Sequence, residues 1–469
     1  MNPIIALIRA HAERFPHRIA IEGQGRRYTY PALCDAIAEA SDLLRRKGTR
    51  CLGIVMDNGP AWAIWDLAAL DAGVVCVPIG HFLSATQKRH VIDDAGIDAI
   101  VHDAGNDISV GGLPVGWEQC RTRKKGPLPS GTVKVTYTSG TTGTPKGVCL
   151  SLDAIRQVVE SLLHATLASP MDRHLALLPL SVLLENLAGL YVPLLAGATV
   201  ILEPLTRLGL EGSSHLDVKR MHAALHNHRP STCILMPAML QGLVDLLERG
   251  NHLPPPLRLA AVGGAKVSGR LIEQATRLGL PVCQGYGLSE CASVVALNRV
   301  GSSQHDSVGT VLPHLEVKSA DDGEILIRGH RFLGYTHTSE PVPEWWPTGD
   351  LGYLDAEGHL YILGRKRNVF ITAFGRNVSP EWVEAELLAE PEVLQAAVYG
   401  EASERNIAVI ASPAPAAAID AAIARVNSRL PDYAQIHRWL RATQPFTPEN
   451  GLATPNGRPR REAIAHRYL

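Results

Sequence analysis

From Thr138 to Lys146 the chain runs Thr, Ser, Gly, Thr, Thr, Gly, Thr, Pro, Lys: hydroxyls and glycines closed by one positive charge. Small residues let a backbone fold closely around a ligand, and hydroxyl and N–H donors suit phosphate oxygens. Lys146 adds a point charge of the matching sign. The spacing excludes a Walker-type loop, because Pro145 precedes Lys146 and Gly147 follows it where that loop needs Ser or Thr. A plain hairpin turn needs only about two to five residues. The stretch therefore points to a nucleotide phosphate site of another geometry, entered from an apolar strand carrying Val133, Val135 and Tyr137.

Three further stretches concentrate glycine with residues that could do chemistry. They are Gly285-Tyr-Gly-Leu-Ser-Glu290, Thr348-Gly-Asp-Leu-Gly352, and Gly364-Arg-Lys-Arg-Asn368 with Gly375-Arg-Asn-Val-Ser-Pro380. Taken singly, each has a plain reading. Tyr286 is a core tyrosine, Glu290 a surface charge, and Asp350 a turn former.

Periodicity supplies the frame that must position them. Apolar residues recur at helical spacing over 4–14 and 31–47, and the span 51–78 reads as strand, helix, strand. That pattern signals a parallel sheet with helical crossovers. A further helix and strand follow at 86–104. Residues 104–131, rich in Gly, Pro and the basic run Arg121–Lys125, are expected to be a surface connection. The alternation resumes through 152–167, 174–202 and 215–247, then a strand at 258–264, a helix at 267–278 and a strand at 281–283. From about 307 short alternating runs between Gly and Asp turns predict antiparallel sheet or barrel. A helix at 380–389, a strand near 393–399 and a helix at 417–429 complete the chain. The expected fold is α/β: a large N-terminal domain of two parallel-type sheets with helices plus a small β-barrel, and a small mobile α+β C-terminal domain. The boundary falls between 1–366 and 367–469.

Composition narrows the class. At 469 residues the chain exceeds a single core. Its 45 Lys and Arg against 46 Asp and Glu give no electrostatic footprint for nucleic acid or an anionic membrane, and 5% aromatics offer few stacking platforms. Eight cysteines without a CxxC pair predict reduced thiols in a cytoplasmic protein. The longest apolar runs are broken by Pro179, Pro193 and Gly197, so no membrane span and no integral membrane contact are expected. His222 and His226 have i, i+4 spacing but no HExxH order, which favours solvated histidines over zinc ligands.

In their order along the chain, the four stretches resemble the acyl-adenylate-forming (AMP-binding) superfamily. Its members include acyl- and aryl-CoA synthetases, adenylation domains of peptide synthetases, and luciferase. The resemblance implies a ligase in which a carboxylate attacks the α-phosphate of ATP, and a thiol then displaces AMP. The thiol would be coenzyme A or, in the alternative, the phosphopantetheine of an acyl carrier protein. It implies that Thr138, Ser139, Gly140, Thr141, Thr142, Gly143 and Lys146 hold the outgoing phosphates. Tyr286 would stack on adenine, with Gly263, Gly264 and Ala265 bordering the pockets. Ser289 would touch phosphate and Glu290 hold Mg²⁺. Asp350 and Arg365 would bind the ribose, Arg367 would be the hinge, and Phe374 and Gly375 would line the thiol tunnel.

Two positions depart from the family pattern. A lysine expected to bridge the substrate carboxylate and the α-phosphate is replaced by Arg458, with Arg460 nearby as a stand-in. Arginine keeps the charge but is planar and bulkier. Three outcomes follow: Arg458 works with altered geometry, adenylation slows, or the half-reaction is lost, leaving a non-catalytic nucleotide- or adenylate-binding protein. Val182 stands where many relatives carry an aromatic residue or His lining the acyl or adenylate pocket, and with Ser181 it implies a pocket of different shape. Apolar residues around 234–243 and 183–195 favour a fatty or aryl carboxylic acid as the small-molecule partner.

Overall fold

The computed structural model describes every residue except 1, 82, 104, 121–125, 139–144, 213–214, 254–255, 303, 339, 374–375, 404 and 455–456. Among the described residues, the strand–helix alternation of the first part of the chain builds two large sheets. The nine-stranded sheet has a parallel centre, running Val282–Tyr286, Leu259–Val262, Thr232–Leu235, Arg173–Leu175, Thr199–Ile201 and Ile19–Gly23. The eight-stranded sheet has Val75–Pro78, Cys51–Val55 and Ala99–His102 in parallel at its centre, flanked by antiparallel pairs. Strands buried on both faces account for the near-continuous apolar runs.

A four-stranded antiparallel sheet holds Leu315–Ser319, Glu324–Gly329, Trp346–Leu354 and Leu360–Arg365, where the alternating period predicts the barrel. Beyond it, Gln395–Tyr399, Asn406–Ala411 and Ile436–Arg441 form a three-stranded sheet packed by the helices Pro380–Leu388 and Ala416–Asn427. This is the α/β architecture expected, with a large N-terminal and a smaller C-terminal part.

Two local expectations are corrected. Part of the supposed connection at 104–131 is an antiparallel hairpin, Ile108–Val110 with Leu113–Gln119, at the edge of the eight-stranded sheet. Gly111 and Gly112, with φ of 58° and 75°, make the tight turn that the strand twist demands. The strand expected at 281–283 continues through Tyr286, because Gly285 and Tyr286 pair with Leu297 and Ala296.

Two apolar cores meet at Leu184 and Ala188, which pack against both. Between these residues begins a π-helix, Glu185–Tyr191. Buried Glu185 accepts a hydrogen bond from His174 Nε2 at 2.8 Å, and a Cβ on Gly189 would lie 2.0 Å from the Glu185 carboxylate. The wide turn accommodates that buried pair, and such turns concentrate at functional sites.

A second buried network ties the strand Thr132–Thr138 to the helix Pro60–Ala72 and to the π-helix. Lys134 Nζ bonds Asp66 Oδ1 at 2.6 Å, and Asn186 Nδ2 and the Tyr191 hydroxyl donate to Asp66 Oδ2 at 3.0 and 2.8 Å. Lys134 therefore faces a core, on the strand face opposite Val135, and is tolerated there because its charge is paired. No helix among the described residues is long and apolar enough to cross a membrane.

Candidate active site

The strand Thr132–Thr138 runs antiparallel to Lys146–Ser151, with Thr138 opposite Lys146. These two residues thus stand at the two ends of the glycine- and hydroxyl-rich stretch, whose Ser139, Gly140, Thr141, Thr142 and Gly143 lie outside the described residues. His90 Nε2 donates to the Pro145 carbonyl at 2.9 Å, and the Tyr137 hydroxyl donates to Asp94 at 2.9 Å, anchoring both ends from beneath.

Lys146 extends from its strand with Nζ 5.7 Å from the centre of the Tyr335 ring. Tyr335 pairs with Val148 on the same strand, and its hydroxyl donates to Glu290 Oε1 at 2.8 Å. Burial and the neighbouring Glu290 raise the Tyr335 phenol above its ordinary value, so it remains a donor. Sequence reading had not singled out Tyr335, yet it is the residue that sets Lys146 and Glu290 beside each other. Ser289 and Glu290 sit in a single 3₁₀ turn, Ser289–Cys291, directly after the Tyr286 strand and Gly287–Leu288.

Mg²⁺ can be judged against this donor set. No cluster of three or more His, Cys, Asp or Glu suited to a metal occurs among the described residues. Glu290 Oε2 accepts no hydrogen bond from the described residues. One carboxylate with one uncommitted oxygen suits Mg²⁺, which is typically held by one or two carboxylates together with substrate phosphates and waters. The residues fit the ion in that manner.

Asp350, expected at the nucleoside end, is buried on the Trp346–Leu354 strand directly opposite Arg365. Arg365 Nε bonds Asp350 Oδ1 at 2.9 Å, and the Tyr286 hydroxyl donates to Oδ2 at 2.6 Å. Arg365 Nη1 also donates to the Thr348 carbonyl at 3.1 Å, and the Thr348 hydroxyl accepts from Asp350 N at the same distance. Burial raises the Asp350 carboxyl, while Arg365, Tyr286 and Arg458 oppose that shift. Burial and Asp350 together hold the Tyr286 phenol well above its ordinary value. Three residues named from separate motifs therefore form one hydrogen-bonded unit.

Gly264, two residues beyond the Leu259–Val262 strand, has a φ of 86°, a left-handed conformation that favours glycine. Its carbonyl faces the C-terminal part of the chain and accepts from Arg458 Nη2 at 2.8 Å. Arg458 is set on a closed loop: Thr454 N donates to the Arg458 carbonyl at 2.8 Å, and Arg458 N donates to the Thr454 hydroxyl at 3.1 Å. Its side chain is exposed to water, and the protein packed around it, together with the nearby Arg365 and Arg367 charges, lowers its pKa. Arg460, the candidate stand-in, precedes the final helix Arg461–Tyr468 and is tied by its N–H to the Leu452 carbonyl.

Arg367 lies in the 3₁₀ turn Lys366–Asn368 that leaves the Asp350 sheet. Lys366 bonds Asp322 and Glu324 at 2.6 and 2.8 Å, and Glu324 accepts from Gly349 N at 2.9 Å. The turn is thereby linked to the loop that presents Asp350. The expected thiol-tunnel residues Phe374 and Gly375 lie outside the described residues. Across the cleft, the Ser268 hydroxyl donates to Glu386 at 2.7 Å and Arg270 bonds Glu390 at 2.8 Å.

A cavity of about 60 Å³ lies where the two cores meet, lined by Leu184, Ala188, Ile234, Ala261, Val294 and Leu297 among others. The segment 181–188 contributes Leu184 and Ala188 to its wall rather than Ser181 or Val182. His222 and His226 are remote from this cleft in sequence and both aim Nε2 at the His252 carbonyl.

Comparison with known proteins agrees with this geometry. The model of the AMP-binding enzyme family matches residues 8–336. A 2-succinylbenzoate–CoA ligase of Bacillus pumilus is 28% identical over 422 residues, covering 83% of both chains. The long-chain-fatty-acid–CoA ligase FadD15 of Mycobacterium bovis is 27% identical, covering 87% of this chain and 84% of its own. Among solved structures, the anthranilate CoA ligase AuaEII with anthranoyl-AMP superposes with a TM-score of 0.83 at 18% identity, covering 99% of this chain and 96% of that one, a likeness of fold. With a family match over more than half its length and a site assembled from that family's motifs, the chain belongs to the AMP-binding enzyme family and is an AMP-forming acid–thiol ligase.

Proposed function

We propose that the protein activates an apolar carboxylic acid with ATP and passes the acyl group to coenzyme A. A carboxylate oxygen bonds to the α-phosphorus as the bond to the β-phosphate oxygen breaks, and pyrophosphate leaves. The thiol sulfur then bonds to the acyl carbon, the bond to AMP breaks, and the thiol proton passes to solvent.

The observation that carries this reading is the delivery of Arg458 to Gly264, beside the Asp350–Arg365–Tyr286 unit. An acyl-adenylate needs its carboxylate, α-phosphate and ribose held together, and the work is positioning and charge stabilisation rather than covalent chemistry. Arg458, with Arg365 and Arg367 near it, offers the positive charge that a pentavalent phosphorus with added negative charge requires. Asp350 retains acceptor capacity for ribose hydroxyls, since each carboxylate oxygen has two lone-pair sites. Tyr286 presents its ring for adenine while its hydroxyl fixes Asp350. Thr138, Lys146 and the hydroxyls between them take the β- and γ-phosphates. When bound, Mg²⁺ neutralises phosphate charge, and Glu290, held by Tyr335, is the residue that would ligate it.

Residues 1–366 and 367–469 are assigned as two domains joined at Arg367. Turning the second domain would withdraw Arg458 after adenylation and present Phe374 and Gly375 to the thiol. The names of the curated relatives favour coenzyme A over a carrier protein as acceptor. They span an aryl dicarboxylate and long-chain fatty acids, so the acid is left to experiment.

Acid-dependent exchange of labelled pyrophosphate into ATP tests the reading. Exchange with at least one apolar acid is expected, followed by thioester formation with coenzyme A. No exchange across fatty, aryl and short acids would overturn it. A thioester formed on holo-carrier protein but not on coenzyme A would replace the acceptor alone.

A further inference from the structure

The cavity between the two cores has a defined axis. Its floor is one face of three neighbouring strands, with His174, Thr232, Ile234, Leu259 and Ala261 pointing to the same side. Ala261 lies two residues before Gly263, and Leu297 touches the position where a Gly285 Cβ would be, at 3.0 Å. That end of the cavity therefore abuts the glycines around the nucleotide cleft. The strand direction carries the other end to Arg258, just ahead of Leu259–Val262. A strand advances about 3.3 Å per residue, which puts Arg258 roughly 17 Å from Gly263.

At that far end stands the turn 166–172, which contributes Thr166, Ala168 and Asp172 to the lining. The turn has little burial of its own: Leu167 is 79% and Met171 83% exposed, and Leu167 has a positive φ of 51°. Arg258 binds it at several points. Its Nε and Nη2 bond the two Asp172 oxygens at 2.7 and 2.5 Å, and its Nη1 and Nη2 donate to the Thr166 and Leu167 carbonyls at 2.9 and 3.3 Å. Asp172 also accepts from the Ser231 hydroxyl at 2.7 Å and from Ser169 N at 2.8 Å. A bidentate arginine–carboxylate pair is the strong and directional form of such a contact.

We propose that the Arg258–Asp172 clasp is the end wall of the acid pocket and sets the length of acyl chain the enzyme accepts. The inference rests on the ligase reading above. The acyl group is a slender apolar chain directed along the Leu259–Val262 strand from a carboxylate at Gly263–Gly264, and the apolar side chains that narrow the cavity to about 60 Å³ move aside as its tail reaches the 166–172 turn. Acids that overrun the turn are rejected because the turn cannot yield while Arg258 holds it.

The test is the pyrophosphate-exchange rate for a homologous series of unbranched saturated acids. Arg258→Ala releases the turn and shifts the optimum toward longer acids, changing the ratio of kcat/KM between long and short members by about tenfold or more, the scale expected for added methylenes in an apolar pocket. Ala168→Leu fills the same end without touching the clasp and shifts the optimum toward shorter acids. The second variant keeps the test decisive if loss of Arg258 impairs folding. An Ala168→Leu protein that folds and retains the wild-type chain-length profile overturns the proposal. Absence of exchange by the wild type with every acid overturns the ligase reading instead, so the two failures are distinct.

Discussion

Arg458 Nη2 donates to the Gly264 carbonyl at 2.8 Å, joining residues 194 apart in the chain and closing the cleft between its N- and C-terminal parts. The contact uses one edge of a planar guanidinium and leaves its remaining N–H groups for an anion. An arginine can therefore occupy a lysine's place without vacating the cleft.

Arg458→Ala is expected to lower pyrophosphate exchange by about 10²–10³-fold, the usual cost of removing a charge-stabilising donor. Arg458→Lys keeps the charge but loses the fork, and should remain within about tenfold of wild type, the value of roughly 1.4 kcal/mol. An alanine variant that exchanges at the wild-type rate would refute the role.

Tyr335→Phe removes the donor that orients Glu290 without altering either charge. Partners of metal ligands typically contribute 10–100-fold, so the Mg²⁺ concentration for half-maximal adenylation should rise by about that factor. Glu290→Ala should act in the same direction and more strongly. Titration of exchange with Mg²⁺ measures both, and an unchanged curve for Tyr335→Phe would separate Tyr335 from the metal.

Lys134→Met leaves the buried Asp66 carboxylate without its cation and should destabilise the fold by about 3–5 kcal/mol. Removing both charges, in Lys134→Met with Asp66→Leu, should recover much of that loss. Chemical denaturation of the two single variants and the double variant gives the coupling. A double variant that loses the sum of the two single losses would show that the pair is not coupled.

His314 is buried, its Nδ1 3.0 Å from the Ser161 hydroxyl and its Nε2 without a hydrogen-bond partner among the described residues. Burial lowers its pKa from 6.5 to about 4. The unfolded chain therefore binds the proton more readily between those values, so stability is complete above pH 6.5 and declines as pH falls toward 4. The loss is on the order of 3 kcal/mol, at about 1.4 kcal/mol per pKa unit. His314→Gln should flatten the fall of Tm between pH 7 and 4.5; an unchanged slope would assign the acid sensitivity elsewhere.

Several of these relationships were within reach of the sequence. Apolar runs record burial residue by residue, so the strand–helix alternation over 31–102 and the change of period near 307 were legible, whereas the strands Ile19–Gly23 and Arg26–Thr29 were not. The Gly-rich stretches, through their resemblance to the AMP-binding family, pointed to Lys146, Tyr286, Glu290, Asp350 and Arg365 as candidate nucleotide residues. The 108–119 hairpin was missed although Gly111-Gly112 is a hairpin signal, since the surrounding Pro and Gly suggested a loop.

The order of amino acids was enough to indicate the fold class, the glycine-rich motifs and, through the family resemblance, an arginine at 458 where lysine is expected. Which residues touch follows from how the folded chain brings them together. Glu290 meets Tyr335 across 45 residues, Asp66 meets Lys134 across 68, and Asp172 meets Arg258 across 86. Local patterns encode burial and turn geometry at short range. A pairing between distant side chains depends on strand order and register, and these emerge only when the whole core packs.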